Sequence, residues 1–85
     1  MNTDKIACIT GASSGIGEAT AHALLDLGYR LIVMARREEK LQQVARDLEL
    51  KGATVLPIIL DVRDSNAVEA AFTALPHNIT IIDNG

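Results

Sequence analysis

Short apolar runs alternate along this chain with stretches in which apolar residues return every three or four positions. Ile6-Ala7-Cys8-Ile9 is apolar throughout and leads straight into a glycine cluster, the pattern of a strand buried on both faces. From Gly15, the residues Ile16, Ala19, Ala23, Leu24 and Leu27 recur at helical spacing. Glu18 stands in the first turn and Gly28 just past the last, so the pattern predicts a helix that buries this face. Residues 29–35 carry Leu31-Ile32-Val33-Met34, a second buried strand, after which Leu41, Val44, Ala45 and Leu48 fall at i, i+3, i+4 and i+7. Lys51 and Gly52 close this second helix with a favourable charge and a permissive backbone.

A third strand is predicted over residues 55–60, but Pro57 lacks the N–H that an interior ladder needs, which places this strand at a sheet edge. Asp64 or Ser65 caps a third helix whose inward face is Val68, Ala71, Phe72 and Leu75, stopped by Pro76. Ile79-Thr80-Ile81-Ile82 can open a fourth strand ahead of Asp83-Asn84-Gly85. Strand then helix, repeated, predicts parallel strands joined by right-handed crossovers.

Composition narrows the picture. With 85 residues, 48% of them hydrophobic and 22% charged, the chain is one globular domain over residues 1–85. A net charge of −3 argues against nucleic acid as a partner. The longest apolar run, residues 31–35, is far shorter than the ~20 residues that span a bilayer, so no membrane crossing is expected. The single cysteine, Cys8, has no internal disulfide partner, and no Cys or His pair has zinc-ligand spacing. A reducing cytoplasm is the expected location. Only Tyr29 and Phe72 are aromatic, so the core must be aliphatic.

The chemistry lies between the first strand and the first helix, in Thr10-Gly11-Ala12-Ser13-Ser14-Gly15-Ile16-Gly17. Glycines at a strand-to-helix turn permit positive φ, bring main-chain N–H groups close to a pyrophosphate, and aim a helix N-terminus at its charge. Ser13 and Ser14 add hydroxyl donors. The plain alternative is a loop whose glycines serve tight packing alone.

The spacing Thr-Gly-x-x-x-Gly-x-Gly resembles the cofactor loop of the short-chain dehydrogenase/reductase family, and residues 10–17 match it without a departure. The resemblance implies a Rossmann-type, doubly wound α/β fold with a parallel sheet, here partial, of three to four strands in the order 3-2-1-(4). It also implies a cofactor site in which Gly11, Ala12, Ser13, Ser14, Gly15, Ile16 and Gly17 follow the pyrophosphate and adenosine ribose.

NAD-preferring dehydrogenases commonly place an acid after the second strand, for the ribose 2′-hydroxyl; here Met34-Ala35 is followed by Arg36-Arg37. A carboxylate would repel a 2′-phosphate, whereas a guanidinium gives it charge-assisted hydrogen bonds. NADP is therefore favoured over NAD, with Arg36 and Arg37 carried over from NADP-dependent members of the resembled family. Asp61-Val62 stands where that family has a pair meeting the adenine ring; its other reading is a turn or capping carboxylate beside a core valine.

The tail admits two alignments. Either Ile82-Asp83 is the family's lead-in to its fourth strand, or Asp83-Asn84-Gly85 is a shortened form of the motif closing that strand. We take the first, which ends the chain before the fourth strand, gives Asn84 no cofactor role and leaves the first strand with an exposed edge open to self-association.

Hydride transfer in the resembled family relies on a later Ser, a Tyr-x-x-x-Lys pair and an Asn, and none is present here. The one tyrosine, Tyr29, is followed four residues on by Val33. The chain accordingly reads as the NADP-binding amino-terminal segment of an oxidoreductase, inactive alone. The other readings are a non-catalytic interaction fragment, a receiver-like domain phosphorylated on Asp61, which would need acids where Gly11-Ala12-Ser13 stand, and a nucleotidase, which would need a Gly-Lys-Ser/Thr run.

Overall fold

The computed structural model describes residues 5–61, 63–75 and 79–83. Four strands and three helices alternate: β1 (Ile6–Thr10), α1 (Gly15–Asp26), β2 (Arg30–Ala35), α2 (Glu38–Leu50), β3 (Val55–Ile59), α3 (Ser65–Thr73) and β4 (Ile79–Asp83). All pairings are parallel, in the order β3-β2-β1-β4.

The fourth strand corrects one expectation. β4 forms in full and pairs with β1 in the register Ile6↔Ile79 through Thr10↔Asp83. Ile82-Asp83 is thus the end of a strand and not the approach to one, and β1 lies between two neighbours instead of at an edge. Asn84, which that alignment excluded from the site, lies outside the described residues. Among the described residues, the strands with a neighbour on one side only are β3 and β4.

The sheet separates two aliphatic layers because successive side chains of β1 and β2 point to opposite faces. Ala7, Ile9, Leu31, Val33 and Ala35 face α1 and α2. Cys8, Ile32 and Met34 face α3. The stripe Leu41, Val44, Ala45 and Leu48 of α2 is buried as its spacing predicts. The predicted face of α1 is not. Ile16 and Leu27 are 74% and 67% exposed, Ala19 and Ala23 are exposed too, and the helix instead docks through Gly17 and Ala21, with Leu24 and Leu25 packed behind them. Gly17 lets the head of this helix lie close against the loop before it. The α3 stripe of Val68, Ala71, Phe72 and Leu75 packs partly buried against the second layer.

Helix ends follow their local chemistry. Gly28 and Gly52 take φ of +88° and +93° just after α1 and α2, the left-handed turn that glycine permits at little cost. Asp64, one of the two predicted caps, accepts the Ala67 N–H at the start of α3. Pro76 lies outside the described residues.

Pro57 sits where it does least harm. The Leu31 N–H donates to the Thr54 carbonyl and the Leu60 N–H to the Ala35 carbonyl, so the even-numbered residues of this segment face β2. Residue 57 faces outward on the edge strand, and its missing N–H costs the sheet no hydrogen bond.

Candidate functional site

At the carboxyl end of β1 the chain turns through Gly11, whose φ of +63° is a left-handed conformation that larger residues rarely adopt. The Ala12 N–H donates to the Met34 carbonyl at 3.0 Å, fastening the loop to the end of β2. The Gly11 carbonyl accepts both the Ser14 N–H (3.1 Å) and the Ser14 hydroxyl (2.8 Å). The same hydroxyl oxygen accepts the Gly17 N–H at 3.1 Å, so Ser14 is the N-cap of α1.

This capping determines which amides remain. Of the N–H groups at the start of α1, that of Gly17 is used by the cap, while those of Gly15 and Ile16 have no acceptor among the described residues, nor does that of Ser13. They lie at the positive end of the α1 dipole. A Cβ on Gly15 would meet nothing within 4 Å, so the surface at Gly15 is open. Gly17 is the opposite case: a Cβ there would collide with the Gly11 carbonyl and come within 2.9 Å of Ala12 Cα.

A crevice of about 350 Å³ opens over the carboxyl ends of β1, β2 and β3. Gly11, Ser13 and Ser14 form its first wall, Ala35, Arg36, Arg37 and Lys40 its second, and Leu60 and Asp61 its third. Arg36, Arg37 and Lys40 are exposed, and none makes an ion pair among the described residues. Asp61 is held differently. Its carboxylate accepts the Arg63 guanidinium through Nε (3.1 and 3.3 Å) and Nη2 (2.9 Å), and the Arg63 N–H at 2.9 Å. These side-chain bonds first, then the backbone bond, with smaller contributions from the charges of Arg63 and Arg36, bring its pKa down to about 2.

Of the residues singled out from the sequence, the structure brings Gly11, Ser13, Ser14, Arg36, Arg37 and Asp61 together around this crevice. Gly15 and Ile16 stand exposed beside it at the head of α1. Ala12 is fully buried in the first layer with its N–H engaged, and Gly17 is buried behind the loop. The Ser14 hydroxyl is committed to the cap and not turned outward as the sequence reading expected. Val62 lies outside the described residues. The turn reading of Asp61 also holds in part, since its carboxylate accepts the N–H two residues on.

Lys40 was missed. Its signal was available: positions 36, 37, 43 and 44 hold Arg, Arg, Gln and Val, so no carboxylate stands a helical turn away on either side. The remaining reactive side chains lie elsewhere. His22 Nδ1 contacts Lys51 Nζ at 3.0 Å, Tyr29 packs on the first layer with Lys5 Nζ 5.6 Å from its ring centroid, and Cys8 is buried against Met34, its thiol pushed up to about 11 by burial. Among the described residues no three His, Cys, Asp or Glu side chains are grouped to hold a metal, and no helix is long and apolar enough to cross a membrane.

Open backbone donors at a helix N-terminus, facing three cations that make no ion pair among the described residues, fit a ligand with phosphates at two positions, one on each wall of the crevice. A model of the short chain dehydrogenase family matches residues 5–84. The chain is 47% identical over 73 residues to a sulfoacetaldehyde reductase of Chromohalobacter salexigens, covering 85% of this chain and 28% of that protein. It is 41% identical over 78 residues to a probable NADP-dependent dehydrogenase of Dichelobacter nodosus, covering 92% of this chain and 71% of the relative. Among solved structures, a metagenomic short-chain oxidoreductase in complex with NADP superposes with a TM-score of 0.76 at 39% identity, over 81% of this chain and 31% of the other. A short chain dehydrogenase/reductase from Burkholderia phymatum in complex with NAD gives 0.77 at 36%, over 82% and 25%. The chain thus spans little more than a quarter of the reductase's length.

Proposed function

Because the chain belongs to the short chain dehydrogenase family, matched over residues 5–84, we propose that it is the coenzyme-binding segment of an NADP-preferring oxidoreductase that interconverts an alcohol and a carbonyl. When bound, the nicotinamide ring supplies or accepts the hydride. The work of this chain's own residues is to bind and orient: the Ser13, Gly15 and Ile16 amides take the pyrophosphate, Gly11 lets it approach, and Asp61 with Val62 meets the adenine.

The observation that carries the NADP preference is the placement of Arg36 and Arg37 on the crevice wall, immediately after β2 and without an acid there. A guanidinium at this point complements a 2′-phosphate and offers nothing comparable to a bare ribose hydroxyl. Relatives carry names and bound coenzymes of both kinds, so specificity is a property of this wall and not of the fold.

Titration of the full 85-residue chain with NADPH and NADH, followed by nicotinamide fluorescence, tests this reading. NADPH binds more tightly, and Arg36→Asp narrows or reverses the preference. Equal affinities in the unaltered chain would remove both arginines from the specificity argument.

A further inference from the structure

Lys40 is the third residue of α2 and lines the same wall of the crevice as Arg36 and Arg37. Its position is electrostatically poor for the protein alone. A cation in the first turn opposes the helix dipole, and Arg36 and Arg37, which precede the helix, bring two more positive charges to the same wall. No neighbour relieves this. The glutamates Glu38 and Glu39 share the adjoining groove without forming an ion pair with Lys40, and the Glu38 carboxylate accepts Gln42 Nε2 at 3.5 Å. The carboxylate across the crevice, Asp61, is engaged in both oxygens by Arg63.

Nor does the N-cap help, since Arg37 provides no side-chain acceptor to the start of α2. Three cations and an uncapped helix start therefore converge on one exposed point. A dianion placed there turns each of these unfavourable contributions favourable at once. A tetrahedral phosphate presents three outward oxygens, enough to engage all three cations of this wall.

Resting on the NADP reading above, we propose that Lys40 is a specificity-determining residue that contacts the coenzyme 2′-phosphate as the third cation of a clamp with Arg36 and Arg37. The full chain and its Lys40→Gln and Lys40→Arg variants are titrated with NADPH and with NADH, and the melting temperature of each is recorded without ligand. Lys40→Gln raises the NADPH Kd about five- to tenfold, the value for one solvent-screened charge-assisted contact, and leaves the NADH Kd within about twofold. Lys40→Arg restores most of the loss. Without ligand, Lys40→Gln melts no lower than the unaltered chain, because it removes a repulsion.

Loss of affinity for both coenzymes by the same factor, a Kd ratio that does not move, or a lower unliganded melting point unrelieved by arginine would each overturn the assignment. An unaltered chain that prefers NADPH while Lys40→Gln keeps the full preference sinks this proposal and leaves the NADP reading standing. An unaltered chain with no preference, or with no affinity for either, removes both.

Discussion

Replacing Gly17 with alanine adds one methyl group at the tightest point between α1 and the loop that precedes it. The new Cβ would press on the Gly11 carbonyl and sit 2.9 Å from both the Gly11 carbonyl carbon and Ala12 Cα. All three atoms belong to the backbone. The Gly11 carbonyl is fixed by two bonds from Ser14, and Ala12 is tied to β2, so neither can yield without giving up a hydrogen bond. Overpacking costs about 1–3 kcal/mol where side chains can rearrange, and here the upper end applies, about 3 kcal/mol, since only backbone can move. A domain of this size loses about 4–8 °C of melting temperature per kcal/mol, so Gly17→Ala lowers the midpoint by about 12–24 °C. Gly15→Ala is the internal control. Its Cβ meets nothing within 4 Å and alanine is the better helix former, so its melt stays within a few degrees of the unaltered chain or rises. Thermal melts followed by far-ultraviolet circular dichroism decide the matter. If Gly17→Ala and Gly15→Ala melted together, close approach of α1 to the loop would not be what the glycine is for.

Two further outcomes follow from burial and charge. Leu48→Ala, at a fully buried position on the α2 stripe, costs about 2–5 kcal/mol by urea denaturation, while Leu50→Ala, 85% exposed two residues later, changes stability by less than about 0.5 kcal/mol. Asp61 has a folded-state pKa below its unfolded value, so its pairing with Arg63 stabilises the fold fully above about pH 4 and is lost as the pH falls towards 2. The midpoint of an NMR titration of the Asp61 carboxyl carbon should rise from about 2 in Arg63→Gln while staying below 3.8, because the residue 63 N–H still donates, and an unmoved midpoint would mean that the guanidinium does not set it.

Much of this was legible from the sequence where one physical signal dominated. The α2 stripe was read correctly because its buried residues are also its large apolar ones, and Pro57 announced an edge because a missing donor has few tolerable places. The α1 face was misread for the complementary reason. An apolar periodicity counts Ile16 and Leu27 and passes over Gly17, yet close packing on a loop selects for the absence of a side chain. The tail was misassigned because Ile82-Asp83 reads alike as the approach to a strand or as its end, and only the long-range register with Ile9 and Thr10 distinguishes them. The commitment of the Ser14 hydroxyl to Gly11 and Gly17 was hidden too, since a serine before a helix is equally a cap and a ligand donor until its partners are placed. Lys40 was harder to read, because the residues that end a strand carry the obvious charge signal, whereas its own lies in the absence of carboxylates at 43 and 44.

The two borders of the sheet are chemically unequal. On β3 the residue turned outward at the middle of the strand is Pro57, so an incoming chain finds a gap in the row of donors there. On β4 no proline interrupts Ile79–Asp83, and Ile81 is 52% exposed beside it. The β3 border is therefore the poorer template for a further strand, and the β4 border the better one.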